Sequence, residues 1–223
     1  MNHCAVPGRT ARYGKVPPMM LAMKRWLSVL LIGVLLSAAA HAATPPEELV
    51  KDTSQRMLKA LQEEKTDLKK NPERVTALVN EIVLPHFDFV RMSKLALGRY
   101  WRRADEKQQQ AFVEQFRALL VRTYRSALTE YRDQTIRYLP FSGDQSSGDV
   151  TVKTQVDQPG GSTIPIDYTL HLENDEWKVY DVVIDGISLV INYRSSFSSE
   201  IRQSGIDGLI DKLRKRNQDD SGG

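Results

Sequence analysis

Hydrophobic spacing in this 223-residue chain changes twice, and those two changes leave few folds open to it. Apolar residues recur every three or four positions as far as Tyr131, alternate with polar ones from Thr135 to Ile184, and return to helical spacing after Gly186. Side chains come back to one face every 3.6 residues on a helix and every two on a strand, so the order is helices, then strands, then helices. The strand connections are short, which makes the sheet an antiparallel meander. One of its faces must be covered by the helices, and the fold class is α+β.

Within the first block, Val50, Met57, Leu61 and Leu68 lie on one helical stripe behind Thr44-Pro45-Pro46-Glu47-Glu48, where Thr44 is the cap candidate. Asn71-Pro72-Glu73 opens a second helix with Val75, Leu78, Val79 and Ile82 inward, stopped by Pro85, and Asp88 caps a third that ends near Gly98. The strongest pattern runs from Asp105 to Tyr131: Asp105 and Gln108 form a capping box, and Phe112, Phe116, Leu119, Leu120, Tyr124, Ala127, Leu128 and Tyr131 share a face. Four strands are expected at 135–139, 150–156, 164–172 and 177–184. Beyond Gly186 the helical period passes through Leu189, Val190, Tyr193, Phe197 and Ile201, breaks at Gly205, and resumes with Asp207 as a cap. A long amphipathic helix across a curved sheet encloses a cone, either filled by its own side chains or open to an apolar ligand.

Charge is unevenly placed. The formal charge is +3, from 31 basic and 28 acidic residues. Residues 1–42 hold Arg9, Arg12, Lys15, Lys24 and Arg25, no acid, and the sole cysteine, Cys4. They also contain the apolar run Trp26–Leu36, too short to span a bilayer as a helix, followed by Ala40-His41-Ala42. That is the pattern of a secretory signal with cleavage before Ala43, and Met23 is a second candidate start. Without those residues two more acids than bases remain, so the basic balance belongs to the leader and does not argue for nucleic acid. Residues 43–217 are expected to form one exported, free domain: a helical part (43–103), a part with the long helix and sheet (104–186) and C-terminal helices (187–217), with 218–223 as a disordered tail.

Catalytic signatures are missing. There is no G-x-S-x-G, P-loop or G-x-G-x-x-G, and His86 and His171 stand far apart with no metal-ligand spacing around either, so no metal or cofactor is expected. Asp181 and Asp185 share strand parity and are the one acid–base pair to weigh; the simpler reading makes Asp185-Gly186 a turn and leaves Asp181 at an open strand end or paired to an arginine. The segment from Arg91 to Arg137 carries eleven basic residues against five acids. It is either a solvated helix face or a surface, centred on Arg91, Lys94, Arg99, Arg102 and Arg103, for an anionic head group or an acidic partner.

Three stretches carry a resemblance: Leu84-Pro85-His86-Phe87-Asp88-Phe89; Leu97-Gly98-Arg99-Tyr100-Trp101 with the long helix after it; and Trp177-Lys178-Val179-Tyr180-Asp181-Val182 through Asp185-Gly186-Ile187-Ser188-Leu189-Val190 to Asn192-Tyr193-Arg194. In order and spacing they resemble the MlaC, or toluene-tolerance (Ttg2-type), family. The resemblance implies a periplasmic phospholipid carrier, with the lipid as cargo and no cofactor, exchanging it between an outer-membrane lipoprotein–porin complex and an inner-membrane ABC transporter with a lipid-binding ring, and so maintaining outer-membrane asymmetry. It also implies a sheet like that of nuclear transport factor 2, a helical subdomain and a deep acyl-chain cavity. Strand parity and the helix stripe then nominate Phe112, Phe116, Leu119, Leu120, Ile166, Tyr168, Leu170, Trp177 and Val179 as lipid-facing. The alternatives are a small-molecule isomerase or hydrolase on the same fold, and an adaptor with a filled core.

Overall fold

The computed structural model describes residues 1, 43–71, 73–129 and 134–219; the expected signal segment and residues 130–133 and 220–223 lie outside them. Residues 43–223 form a compact unit. Helix α1 (Pro46–Glu63) starts on Pro46 with Pro45 at the cap position and no side-chain cap bond, so Thr44 does not serve as its cap. Short helices α2 (Lys65–Lys70) and α3 (Glu73–Leu78) follow. A widened turn, Val79–Val83, continues α3, with the Leu84 N–H bonded to the Val79 carbonyl five residues back. Pro85 in the next turn has no N–H to prolong an α-helix, which fits this local loss of i→i−4 order.

Helix α4 (Phe89–Leu97) is capped by Asp88, whose carboxylate accepts from the Arg91 N–H at 2.8 Å. Gly98 ends it at φ +54°, a conformation that favours glycine, and a Cβ there would stand 2.8 Å from the Arg194 guanidinium. The expected capping box opens α5 (Glu106–Thr129): Gln108 N–H donates to Asp105 at 2.9 Å and Gln108 Oε1 accepts from Asp105 N–H at 3.1 Å. The last helix, α6 (Leu189–Asp219), is interrupted at Gly205 (φ +76°) and is still helical where a loose tail was expected from Gln218. Asp207 accepts from the Gln108 side chain at 2.9 Å. Among the described residues no helix is long and apolar enough to cross a membrane.

The sheet has five strands in the order β1-β2-β3-β4-β5, all antiparallel: β1 (Thr135–Tyr138), β2 (Asp149–Asp157), β3 (Ile164–Glu173), β4 (Glu176–Ile184) and β5 (Ile187–Ser188). The fifth escaped the count of four because two residues after a tight turn carry no period; Asp185 (φ +49°) and Gly186 (φ +78°) make that turn. Register along β3–β4 shifts by one residue: Thr169 faces Asp181 but Leu170 faces Val179, leaving Tyr180 as a bulge. The bulge reverses parity within β4. Val179, before it, and Val182 and Ile184, after it, consequently share the inner face.

Three apolar cores result. One joins α4, α5 and α6 around Met92, Leu97, Phe112, Phe116, Val190 and Phe197; a second joins α1 to the sheet around Val50, Val152, Leu170, Trp177 and Val182; the third gathers α1, α2 and α3 around Met57, Leu61, Leu68 and Val75. The segment before α4 locks onto the sheet. Phe87 bridges Val179 in parallel, the Asp88 N–H donates to the Val179 carbonyl at 2.9 Å, and Asp88 Oδ2 meets His171 Nε2 at 2.9 Å.

Candidate functional site: an apolar cavity between the three cores

Where the three cores approach one another they leave a cavity of about 340 Å³, within the usual span of small-ligand sites. Helix α1 contributes Leu49, Val50, Met57, Leu58 and Leu61; the widened turn and its sequel give Val79, Val83, Leu84, His86 and Phe87; α4 gives Phe89 and Met92. The second half of α5 faces the sheet across the void with Leu120, Val121, Tyr124 and Leu128, and Ile136, Ile166, Tyr168, Val179, Val182 and Ile184 form the opposite wall. None of the lining residues is an Asp, Glu, Lys or Arg. Polarity is confined to Thr53, Ser54, His86, Tyr124 and Tyr168.

Electrostatics agree with a dry interior. Burial pushes the Tyr168 phenol up to about 12, with the neighbouring Tyr138 adding to the rise and a hydrogen bond with Thr154 opposing it. Tyr124 is raised, again mainly by burial. His86 is lowered, first by burial and then by the positive charge of Lys178, so its imidazole is neutral near pH 7. The wall therefore presents hydrocarbon, four hydroxyls and one neutral imidazole. It suits an apolar guest and holds no paired acid and base.

Of the nine side chains nominated as lipid-facing, Leu120, Ile166, Tyr168 and Val179 line the cavity. Phe112, Phe116 and Leu119 do not: each is fully buried in the helical core, where Phe116 lies 5.6 Å from Phe112, 5.5 Å from Tyr193 and 5.5 Å from Phe197, centroid to centroid. The stripe of α5 is continuous, but α6 covers its first half and the void its second. Leu170 and Trp177 are buried in the sheet's own core. Val182 and Ile184 went unforeseen because the run Val182-Val183-Ile184 has no alternation to show which residues face inward.

The five cations nominated as a head-group or partner surface stand outside the cavity wall. Arg91 is a structural tie, 2.9 Å from Asp149 and stacked 4.1 Å above the Tyr180 ring. Arg99 and Arg103 lie over Tyr100 at 5.0 and 5.7 Å, Lys94 over Trp101 at 5.9 Å, and Arg102 is exposed. A second cluster of cations lies in a groove of about 410 Å³ lined by Arg117, Arg122 and Arg125, with Glu73 and Glu114 beside them, and Val121 separates it from the cavity. Arg125 pairs with Glu73 at 2.6 Å and Arg117 donates to Asn80 at 2.8 Å, so these side chains tie α3 to α5.

Among the described residues Asp181 pairs with neither an acid–base partner nor an arginine. Its carboxylate accepts from Ser188 Oγ at 2.6 Å and from the N–H groups of Val182 and Val190 at 2.9 and 3.3 Å, which anchors the start of α6. His171, isolated in sequence, is brought beside Asp88 and Glu173, with donor atoms within 4.8 Å of one another; its bond to the helix-capping Asp88 joins β3 to α4.

Comparison with known proteins agrees with this architecture. The family model "MlaC protein" matches residues 51–215. The toluene tolerance protein Ttg2D of Pseudomonas putida is 31% identical over 204 residues, spanning 86% of this chain and 94% of that protein. The intermembrane phospholipid transport system binding protein MlaC of Haemophilus influenzae is 24% identical over 205 residues, spanning 88% and 94%. A solved phospholipid-binding protein from Ralstonia solanacearum, in complex with a phospholipid, superposes with a TM-score of 0.74 at 33% identity, covering 79% of this chain and 98% of that one. A family model matched over residues 51–215, a relative 31% identical across most of both chains and a solved structure that superposes over most of its length place this protein in the MlaC family.

Proposed function

We propose that the protein is a periplasmic phospholipid carrier, not an enzyme, which holds acyl chains in the cavity and passes lipid between the two membranes of a Gram-negative envelope. The carrying observation is a cavity walled by three apolar cores with no charged side chain on it, in a family whose Ralstonia solanacearum member holds a phospholipid. Each buried methylene is worth about 0.8 kcal/mol, so even a dozen sequestered groups amount to roughly 10 kcal/mol. Such a load leaves slowly through water. Release therefore belongs at a docking surface, where an apolar path opens into an acceptor. The partners in this reading are an inner-membrane ABC transporter with a lipid-binding ring and an outer-membrane lipoprotein–porin complex, and the outcome is maintenance of outer-membrane asymmetry. Exposed Lys94, Arg99 and Arg102 are candidates for meeting an acidic partner or the lipid phosphate. Native mass spectrometry of protein purified after export tests the proposal: it should carry phospholipid, and after delipidation should take it up again from vesicles. Protein with no lipid mass and no uptake refutes it.

A further inference from the structure

The cavity wall contains a hydroxyl with nothing to bond to. Thr53 Oγ1 faces the interior from α1, is shut off from solvent and has no hydrogen-bond partner among the described residues. The Tyr138 hydroxyl is buried as well, but it lies behind the wall, with Ser54 beside it. Around it, Ser54 Oγ donates to the Val50 carbonyl at 2.6 Å, and Ser54 stands close enough to Tyr138 to counter part of the rise that burial imposes on that phenol. Tyr138 also faces Thr154 across β1–β2, and it packs into the same apolar cluster as Val50 and Tyr168. Among the polar groups of the wall, Thr53 is thus the one whose hydroxyl is buried with no partner among the described residues.

A buried donor left without an acceptor is costly, and hydroxyl rotors can turn to whatever acceptor arrives. The guest that fits must supply an acceptor without a charge. A carboxylate would lie in a wall without Lys or Arg, beside an imidazole that burial keeps neutral, and would pay its desolvation unpaired. An ester carbonyl accepts through two lone pairs and carries no charge. We propose that the Thr53 hydroxyl donates a hydrogen bond to an acyl ester carbonyl of the bound lipid, so that the cavity recognises the ester junction as well as the chains. This rests on the phospholipid-carrier reading above.

Diether lipids isolate the carbonyl. Delipidated protein is offered a diacyl phosphatidylglycerol and the dialkyl-ether analogue with identical chains, in direct competition, and the bound ratio is read by native mass spectrometry. The wild-type protein should favour the diacyl lipid by about three- to tenfold, the span of one neutral hydrogen bond. In Thr53→Val, or in Thr53→Ala should that variant fail to fold, the preference should fall toward one. Equal binding of the two lipids by the wild-type protein overturns the inference, as does a full preference in a folded Thr53 variant; both results point to water as the partner of this hydroxyl. Uptake of neither lipid refutes the carrier reading instead.

Discussion

Tyr168 offers the sharpest test of a dry cavity. Its phenol ionises at about 12 in the folded protein against 10.0 for the ordinary side chain, because burial opposes the charged form. Below pH 10 both folded and unfolded states hold the proton, and this residue makes stability no more pH-dependent. Between pH 10 and 12 the unfolded chain loses it while the native state keeps it, so stability falls with rising pH. At pH 11, about one unit above one pKa and one below the other, the loss is about 1.4 kcal/mol, or tenfold in the folding equilibrium. Other tyrosines and lysines titrate in the same range, so the measurement is a difference: urea unfolding of lipid-free wild type and Tyr168→Phe, at pH 8 and at pH 11. Whatever the offset at pH 8, it should move by about 1.4 kcal/mol in favour of the variant at pH 11. An offset that stays constant refutes the reasoning, since a phenol reached by water in the resting cavity would titrate alike in both states.

Phe116→Ala should cost about 3–5 kcal/mol, a large part of a typical domain's stability, and show as a collapsed urea midpoint; a near-normal midpoint would remove Phe116 from the packed core. Ile166→Ser, on the cavity wall, should instead lower lipid phosphorus per protein while changing the unfolding free energy by about 1 kcal/mol or less. Gly98→Ala should destabilise by roughly 1–3 kcal/mol in thermal melts, through left-handed strain and the approach to Arg194, and Arg194→Ala in the same chain should relieve the second contribution but not the first.

Helix faces and strand periods were readable because burial repeats with the element: Val75 and Leu78, Val150 and Val152 all sit inside as their spacing requires. What spacing omits is the identity of the opposite surface. Phe116 and Leu128 lie on one stripe of α5, yet one meets Phe197 and the other a void, and only the path of α6, fixed by the Asp185-Gly186 turn and the Asp181 anchor, separates them. Strand parity failed at one place, the Tyr180 bulge, where Lys178-Val179-Tyr180-Asp181 contains no glycine to announce an extra residue. The Thr53 hydroxyl was invisible for a different reason. Thr53 is an ordinary surface-type residue on a helix, and its meaning depends on the void that α5 and the sheet leave opposite it.

The segment Pro85–Asp88 has one more consequence, in the behaviour of the molecule among its copies. Strand β4 is a nine-residue strand whose outer edge is covered at one end by β5, at Val183 and Ile184, and at the other by Phe87 bridging Val179. The opposite edge, β1, is four residues long and carries Arg137 tied to Asp157. Unpaired strand edges template association between chains, and short, charged or covered edges suppress it. A carrier of the kind proposed would run that hazard each time it opened its apolar interior, and here β5, Phe87 and the short, charged β1 cover part of both sheet edges.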